Sequence, residues 1–131
     1  MLRLKINQGT WYDGDMMLKA HNLAQHKHIA SVVVPIQGYS LQYHAFPLNI
    51  GREASNHIVL DDGTVSRRHA VITYENCQHF IRDLGSKAGI RVSDEGGHKK
   101  EGLDGKILLI PGDYISLGET IISVLEPKEV F

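Results

Sequence analysis

Apolar residues along this chain recur mostly at every second position, in short segments broken by Gly, Asn-His, Asp-Gly and Pro-Gly. A period of two puts alternate side chains on opposite faces of an extended strand, and the breakers are the residue types that tight turns need. The pattern predicts strands at Ser31 to Ile36, Ser40 to Phe46, Leu48 to Gly51, Ile58 to Leu60, His69 to Tyr74, His79 to Asp83, Ile90 to Val92, Lys106 to Ile110, Asp113 to Leu117 and Thr120 to Leu125. Ala70, Ile72 and Tyr74 share one face, and in the following strand Phe80 and Arg82 lie opposite Ile81. The intervals leave no room for helices of ordinary length, which implies an all-β sandwich or barrel.

Residues 1 to 28 differ in character. Leu2, Leu4 and Ile6 alternate like a strand, while Asp15 to Gln25 fits one amphipathic helix through Met16, Met17, Ala20 and Leu23/Ala24. This stretch reads as an extension appended to the β domain, with Met16 and Met17 as core contacts. Ser93 to Gly105 (SDEGGHKKEGLDG) is polar and glycine-rich, and reads as a solvated loop between strands.

A chain of 131 residues holds one domain with a core that needs no disulfide staples. Lys plus Arg total 14 against 15 Asp plus Glu, for a net charge of −1, which argues against a partner bound by bulk attraction, such as nucleic acid or anionic lipid. No uninterrupted apolar run exceeds Val32 to Ile36, far short of the roughly 20 residues that span a bilayer, so no membrane insertion is expected. The N-terminus shows no secretory signal pattern, which points to the cytoplasm. Cys77 is the only cysteine; it excludes an intrachain disulfide and reads as a small residue at a strand end. His21, His26 and His28 lack carboxylate or thiolate companions at ligand spacing, so no metal and no cofactor are expected.

The informative stretch runs from Asn49 to Val92. Gly51-Arg52 leaves a strand for a loop, Ser66-Arg67-Arg68-His69 follows the turn signal Asp61-Asp62-Gly63, and Ser86-Lys87-Ala88-Gly89 forms a third loop. Each loop offers an anion donor: guanidinium forks from Arg52 and Arg67, a hydroxyl from Ser66 and a mobile ammonium from Lys87. The alternative for Arg52 is a surface ion pair with Glu53 or Asp83. Arg68 reads as a solvated neighbour and His57 as solvent-facing. No nucleophile-base-orienter arrangement stands out, so the chain reads as a non-enzyme.

The segment resembles the forkhead-associated (FHA) domain. I-G-R followed by S-N-x-I-V-L, then V-S-R-R-H-A, then D-L-G-S, occupy that family's order and spacing, and the resemblance covers residues 29 to 126. It implies an FHA/SMAD-like β-sandwich of about eleven strands, divided here as a 1–28 extension, a 29–126 domain and a 127–131 tail. It also implies binding of phosphothreonine peptides through the loops at one end. By the resemblance, Arg52 grips a phosphate oxygen, Ser66 donates its hydroxyl, Arg67 adds charge or meets the peptide backbone, and Lys87 stands where relatives carry a phosphate-touching Thr. Gly51 and Gly89 are backbone-geometry residues, and His69 ties the recognition loop to the strand near Gly51. Thr64 and Val65 are candidates for reading residues beside the phosphothreonine. The departure is Ala88, which replaces the Asn that holds the peptide main chain in the family. The implied partner is a phosphothreonine-containing protein, in trans or on the same chain, downstream of a Ser/Thr kinase. A phosphate-independent scaffold for interaction or oligomerisation is the alternative that Ala88 keeps open.

Overall fold

In the computed structural model of the chain, residues 1–8 and 40–127 are described. The strand expected at Ser31 to Ile36, the helix expected at Asp15 to Gln25, the histidines at 21, 26 and 28, and residues 128–131 lie outside them. Strands β1 (Leu2–Gln8), β2 (Ser40–Tyr43), β9 (Tyr114–Leu117), β10 (Thr120–Leu125) and β7 (Ile90–Ser93) form one sheet in the order β2-β1-β10-β9-β7. Strands β3 (Leu48–Gly51), β4 (Ile58–Val59), β5 (Ala70–Glu75), β6 (Gln78–Asp83) and β8 (Lys106–Leu109) form the other, in the order β4-β3-β5-β6-β8. The inward residues of both sheets meet in one core of branched aliphatics, among them Ile6, Leu48, Ile50, Ile72, Ile81, Ile115 and Ile122, all wholly buried. Ile81 faces this core while Phe80 and Arg82 point outward, as the alternation requires.

Three expectations need correction. The strand at Leu2–Gln8 is no appendage: it pairs antiparallel with both β10 and β2, and Leu2, Leu4 and Ile6 are buried in the core. A boundary near residue 28 therefore does not coincide with an edge of the sandwich. Cys77 is not at a strand end but at the exposed apex of the β5–β6 hairpin, where Asn76 and Cys77 take φ of 50° and 63°. The polar stretch from Ser93 to Gly105 is tied to the body. Its Lys100 donates from the backbone N–H to Val92 O (2.8 Å) and from Nζ to Leu108 O (2.7 Å) and the buried Asp113 carboxylate (2.5 Å). Charge attraction and three satisfied donors thus replace the solvent the composition suggested.

The topology gathers the functional loops. β3 runs antiparallel to β5 and parallel to β4, in register Ile50 to Ile58, so residues 52–57 and 60–69 emerge at the same end; β6 returns there to deliver residues 84–89. The β9–β10 turn of the opposite sheet joins them through Asp62. The Asp62 carboxylate accepts from the Thr64 N–H (2.8 Å) and hydroxyl (2.6 Å) on one side and from the wholly buried Thr120 hydroxyl (2.7 Å) on the other. Thr64 Oγ1 in turn accepts from Glu119 N–H at 2.8 Å. One buried carboxylate therefore fixes the loop after β4 to the facing sheet. Burial by itself raises the Asp62 pKa, but the bonds from Thr64 and Thr120 together outweigh it and hold the carboxyl below the usual carboxylate value.

At the other end His79 sits between Phe46 and Tyr74, with ring centroids 4.9 Å from each. Burial lowers its pKa, and the charge of the N-terminal ammonium adds to the effect.

Both depressed pKa values make stability depend on pH in the same direction. For His79 the unfolded chain takes up its proton first, so stability is complete above about pH 6.5 and declines as pH falls below it. For Asp62 the unfolded carboxyl protonates first, near pH 3.9, and a further loss follows as pH falls toward the lower folded value. Thermal denaturation across pH should show wild type losing stability below about pH 6.5 relative to His79→Phe. Below about pH 4 it should lose stability relative to Asp62→Asn. Parallel profiles for wild type and either variant would contradict the corresponding assignment.

Candidate functional site

The site begins where β3 ends. A Cβ on Gly51 would lie 2.2 Å from Arg67 O and 2.8 Å from Asn56 Nδ2, so only glycine lets the 66–68 segment lie across the strand end. That close approach lets Arg52 N–H reach Ser66 O (3.0 Å) and Glu53 N–H reach Arg67 O (3.1 Å). The buried Asn56 clamps the crossing, its Nδ2 donating to Glu53 O at 2.8 Å and Arg67 O at 2.7 Å.

These contacts aim Arg52. Its Nε–H donates to Val65 O at 3.1 Å, leaving the terminal guanidinium nitrogens exposed. The ion pair with Glu53 or Asp83 is not formed. Glu53 Oε1 accepts from Ser55 (3.2 Å), and the Asp83 carboxylate is taken up by Gly85 N–H and Ser86 N–H, both at 3.0 Å, and by the Ser86 hydroxyl. No carboxylate lies within ion-pair distance of Arg52, Arg67, Arg68 or Lys87 among the described residues.

His69 is wholly buried and joins two loops. Its Nδ1 accepts from Ser66 N–H at 3.0 Å and therefore carries no proton; its Nε2 lies 2.7 Å from Gly89 O and donates to it. A neutral imidazole satisfies both bonds. The tie to the strand beside Gly51 expected of this imidazole is made instead by the His69 backbone, whose N–H donates to Ile50 O at 2.9 Å. The ring reaches the third loop because Gly89, at φ 73°, turns its carbonyl inward while its N–H donates to Ser86 Oγ at 2.8 Å.

Ser66 and Lys87 meet directly. Ser66 Oγ accepts from Lys87 N–H at 3.0 Å, which leaves the Ser66 hydroxyl proton free to donate outward. His69 does not act on that hydroxyl, because its accepting nitrogen is occupied by the Ser66 backbone. The result is a cleft of about 500 Å³ lined by Arg52, Gly63, Thr64, Val65, Ser66, Lys87 and Ala88. Six sequence candidates, Arg52, Thr64, Val65, Ser66, Lys87 and Ala88, share its wall. Arg67 does not: its side chain is exposed beside the cleft, and its carbonyl holds Asn56 and Glu53. Val65 lends the wall its carbonyl edge while its side chain is in the core. His57 folds back to accept Asn49 N–H at 3.0 Å and is half-buried, contrary to a solvent-facing role.

Asn56, Asp62 and Ser86 shape the site without having been singled out from sequence. The signals were present as Asp-x-Thr and Asp-x-x-Ser, spacings at which a short polar side chain closes a turn on its own backbone. An exposed guanidinium, a free hydroxyl donor and an ammonium around one concavity suit a tetrahedral oxyanion.

The family model for the FHA domain matches residues 48–118. The transcriptional regulatory protein EmbR of Mycobacterium tuberculosis is 38% identical over 81 residues, which cover 62% of this chain and 19% of that protein. The glycogen accumulation regulator GarA of the same organism is 35% identical over 80 residues, covering 60% of this chain and 45% of GarA, so the chain spans less than half the length of either. Among solved structures, the FHA domain of an Arabidopsis thaliana hypothetical protein superposes with a TM-score of 0.66 at 24% identity, covering 99% of this chain and 90% of that one. EmbR, solved in complex with a low affinity phosphopeptide, gives 0.59 at 25% identity over 87% of this chain and 31% of its own. With the family model spanning more than half of its length, this chain belongs to the FHA domain family.

Proposed function

We propose that this domain binds a phosphothreonine-bearing segment of a protein partner, in trans or on its own polypeptide, as a recruiting module downstream of a Ser/Thr kinase. The carrying observation is the convergence of Arg52, Ser66 and Lys87 on one cleft with, among the described residues, no carboxylate paired to them. The solved complex of the relative EmbR with a phosphopeptide supports the ligand class. In this reading the terminal nitrogens of Arg52 and the hydroxyl of Ser66 each take a phosphate oxygen, and Lys87 supplies the second positive charge that a dianion needs. Arg67 adds charge at the rim toward the peptide, and Ala88 sits where the peptide passes. Gly51, His69 and Gly89 hold the loops and do not touch the ligand. In this reading the module is a binder and not an enzyme: among the described residues the imidazole nearest Ser66 has its accepting nitrogen on the Ser66 backbone N–H, and the hydroxyl's work is to hold an anion. It operates in the cytoplasm, where kinase products arise, and the folding unit runs from Leu2 through Leu125.

Calorimetric titration with a phosphothreonine peptide and its unphosphorylated and phosphoserine versions tests the reading. The phosphothreonine form should bind and the unphosphorylated form should not. Arg52→Ala and Ser66→Ala should each weaken binding about tenfold or more, since a hydrogen bond to a charged group is worth roughly 1.5–3 kcal/mol. Each substitution also removes one loop hydrogen bond, Arg52 Nε–H to Val65 O or Lys87 N–H to Ser66 Oγ, so the melting temperature should fall by only about 2–8 °C and the variants should remain folded. Binding that ignores phosphorylation would replace this reading with a phosphate-independent scaffold.

A further inference from the structure

We propose that the outer face of the sheet β2-β1-β10-β9-β7 is a second docking surface, whose occupant is an acidic segment of a protein partner with aliphatic side chains between its carboxylates. The inference goes beyond the phosphothreonine reading and does not depend on it, since no cleft residue takes part.

None of the five strands of this sheet contains Asp or Glu, although the chain has 15 of them, and the same strands carry Arg3, Lys5 and Arg91. Leu4, Ile6, Val92, Ile115, Ile122 and Val124 are buried, so alternation turns the three cations outward. Neither Lys5 nor Arg91 has a carboxylate within ion-pair distance among the described residues. The opposite sheet differs, because Glu75 takes the Lys106 ammonium at 2.9 Å on its outer face. Around the first sheet, carboxylates return only past the strand ends, at Asp94, which His98 holds, and at Glu126.

Register shapes the surface. Lys5, Ser123, Tyr114 and Ser93 are cross-strand neighbours in one row, and Ile121, Ser116 and Arg91 in the next. A serine flanked by longer side chains in each row leaves a trough of about 640 Å³. Ser123 is only 8% exposed, whereas Tyr114 is 43% exposed, and Ile121 and Leu125 are half-buried along the same trough. An amphipathic ring and aliphatic walls beside an ammonium suit a protein surface.

Other occupants fit this face less well. A second copy laid face to face would set cations against cations. A bilayer takes up apolar groups that project, and these wall a recess. Three cations are few for a nucleic-acid track. In an acidic segment, carboxylates reach Lys5 and Arg91 while aliphatic side chains cover Ile121 and Leu125. The face also adjoins the cleft: Arg91 follows closely on Gly89, and Glu119 N–H in the β9–β10 turn donates to Thr64 Oγ1 at 2.8 Å. A partner held in the cleft therefore meets the face at high local concentration.

The test is an NMR titration of the full chain with an unphosphorylated twelve-residue peptide in which Glu alternates with Leu or Val, beside the same peptide with Gln for Glu. The acidic peptide should shift the backbone amides of Lys5, Arg91, Ser116 and Ile121 and bind at least fivefold more tightly than its carboxamide counterpart. The double variant Lys5→Glu, Arg91→Glu should weaken it fivefold or more. Ser116→Tyr, which fills the trough without changing charge, should do the same, and if either protein loses its dispersed spectrum the other carries the comparison. Arg52→Ala should bind the acidic peptide as the wild type does. A chain that takes this peptide but no phosphothreonine peptide refutes the phosphothreonine reading alone. Equal binding of the two peptides, shifts confined to Arg52, Ser66 and Lys87, or folded variants that bind as the wild type does would overturn the inference. A dimer in light scattering, or cosedimentation with phosphatidylserine vesicles, that Ser116→Tyr abolishes would assign the face to another occupant and overturn it as well.

Discussion

The site depends on one buried imidazole. His69 spends both ring nitrogens on backbone groups of different loops, accepting from Ser66 and donating to Gly89, in a place water does not reach. The arrangement works for only one protonation state and one tautomer. A proton on Nδ1 would oppose the Ser66 N–H, donor against donor, and a ring without a proton on Nε2 would oppose the Gly89 carbonyl. Because Ser66 and Lys87 stand on the two loops so joined, the spacing between hydroxyl and ammonium is inherited from this ring. The direct bond from Lys87 N–H to Ser66 Oγ is a second strut whose geometry the first one sets.

Around this bridge, the other contacts remove freedom from the same loops before any ligand arrives. Gly51 admits the 66–68 segment, Asn56 locks the crossing, and Asp62 anchors residue 64 to the opposite sheet. Ordering a loop on binding subtracts from affinity, so loops ordered during folding conserve what the few ligand contacts supply. Arg52, Ser66 and Lys87 stand on loops ordered in this way, so their contribution to anion binding is not spent on ordering the loops. The cost appears elsewhere: buried polar groups such as Asp62 and Asn56 are tolerable only while every partner is present.

How far the sequence revealed the molecule follows from the range of each interaction. Alternation is local, and it located β2 to β10 with small boundary differences; Leu2, Leu4 and Ile6 were legible as a strand, but their partners in β10 lie at the other end of the chain, so their membership in the sandwich was not. Arg52, Ser66 and Lys87 were legible because each carries its chemistry in its own side chain. Asp62 and Asn56 were not, because their meaning lies in Thr120 and Arg67, 58 and 11 residues away. His69 was recognised as support, yet the direction of its ring needed the position of Gly89. Cys77 was misplaced because only Asn76 of the positive-φ pair is a residue type that marks a turn; the cysteine after it gives no such sign.

The charge balance of 14 against 15 takes on its meaning only in three dimensions. The chain is close to neutral, and acidic residues are as near the cleft in sequence as basic ones: Glu53 follows Arg52, Asp62 precedes Ser66 and Asp83 precedes Lys87. Those carboxylates could have quenched the site. Each is instead turned to a short-range donor of its own, Ser55 for Glu53, Thr64 and Thr120 for Asp62, and the backbone of residues 85 and 86 for Asp83. A carboxylate that accepts hydrogen bonds from loop N–H and hydroxyl groups stabilises the loop and leaves the neighbouring cation without a partner. The same residues that make the chain neutral therefore build a frame in which, among the described residues, no carboxylate pairs with Arg52 or Lys87, and a local anion site is compatible with a chain that has no net attraction for a polyanion.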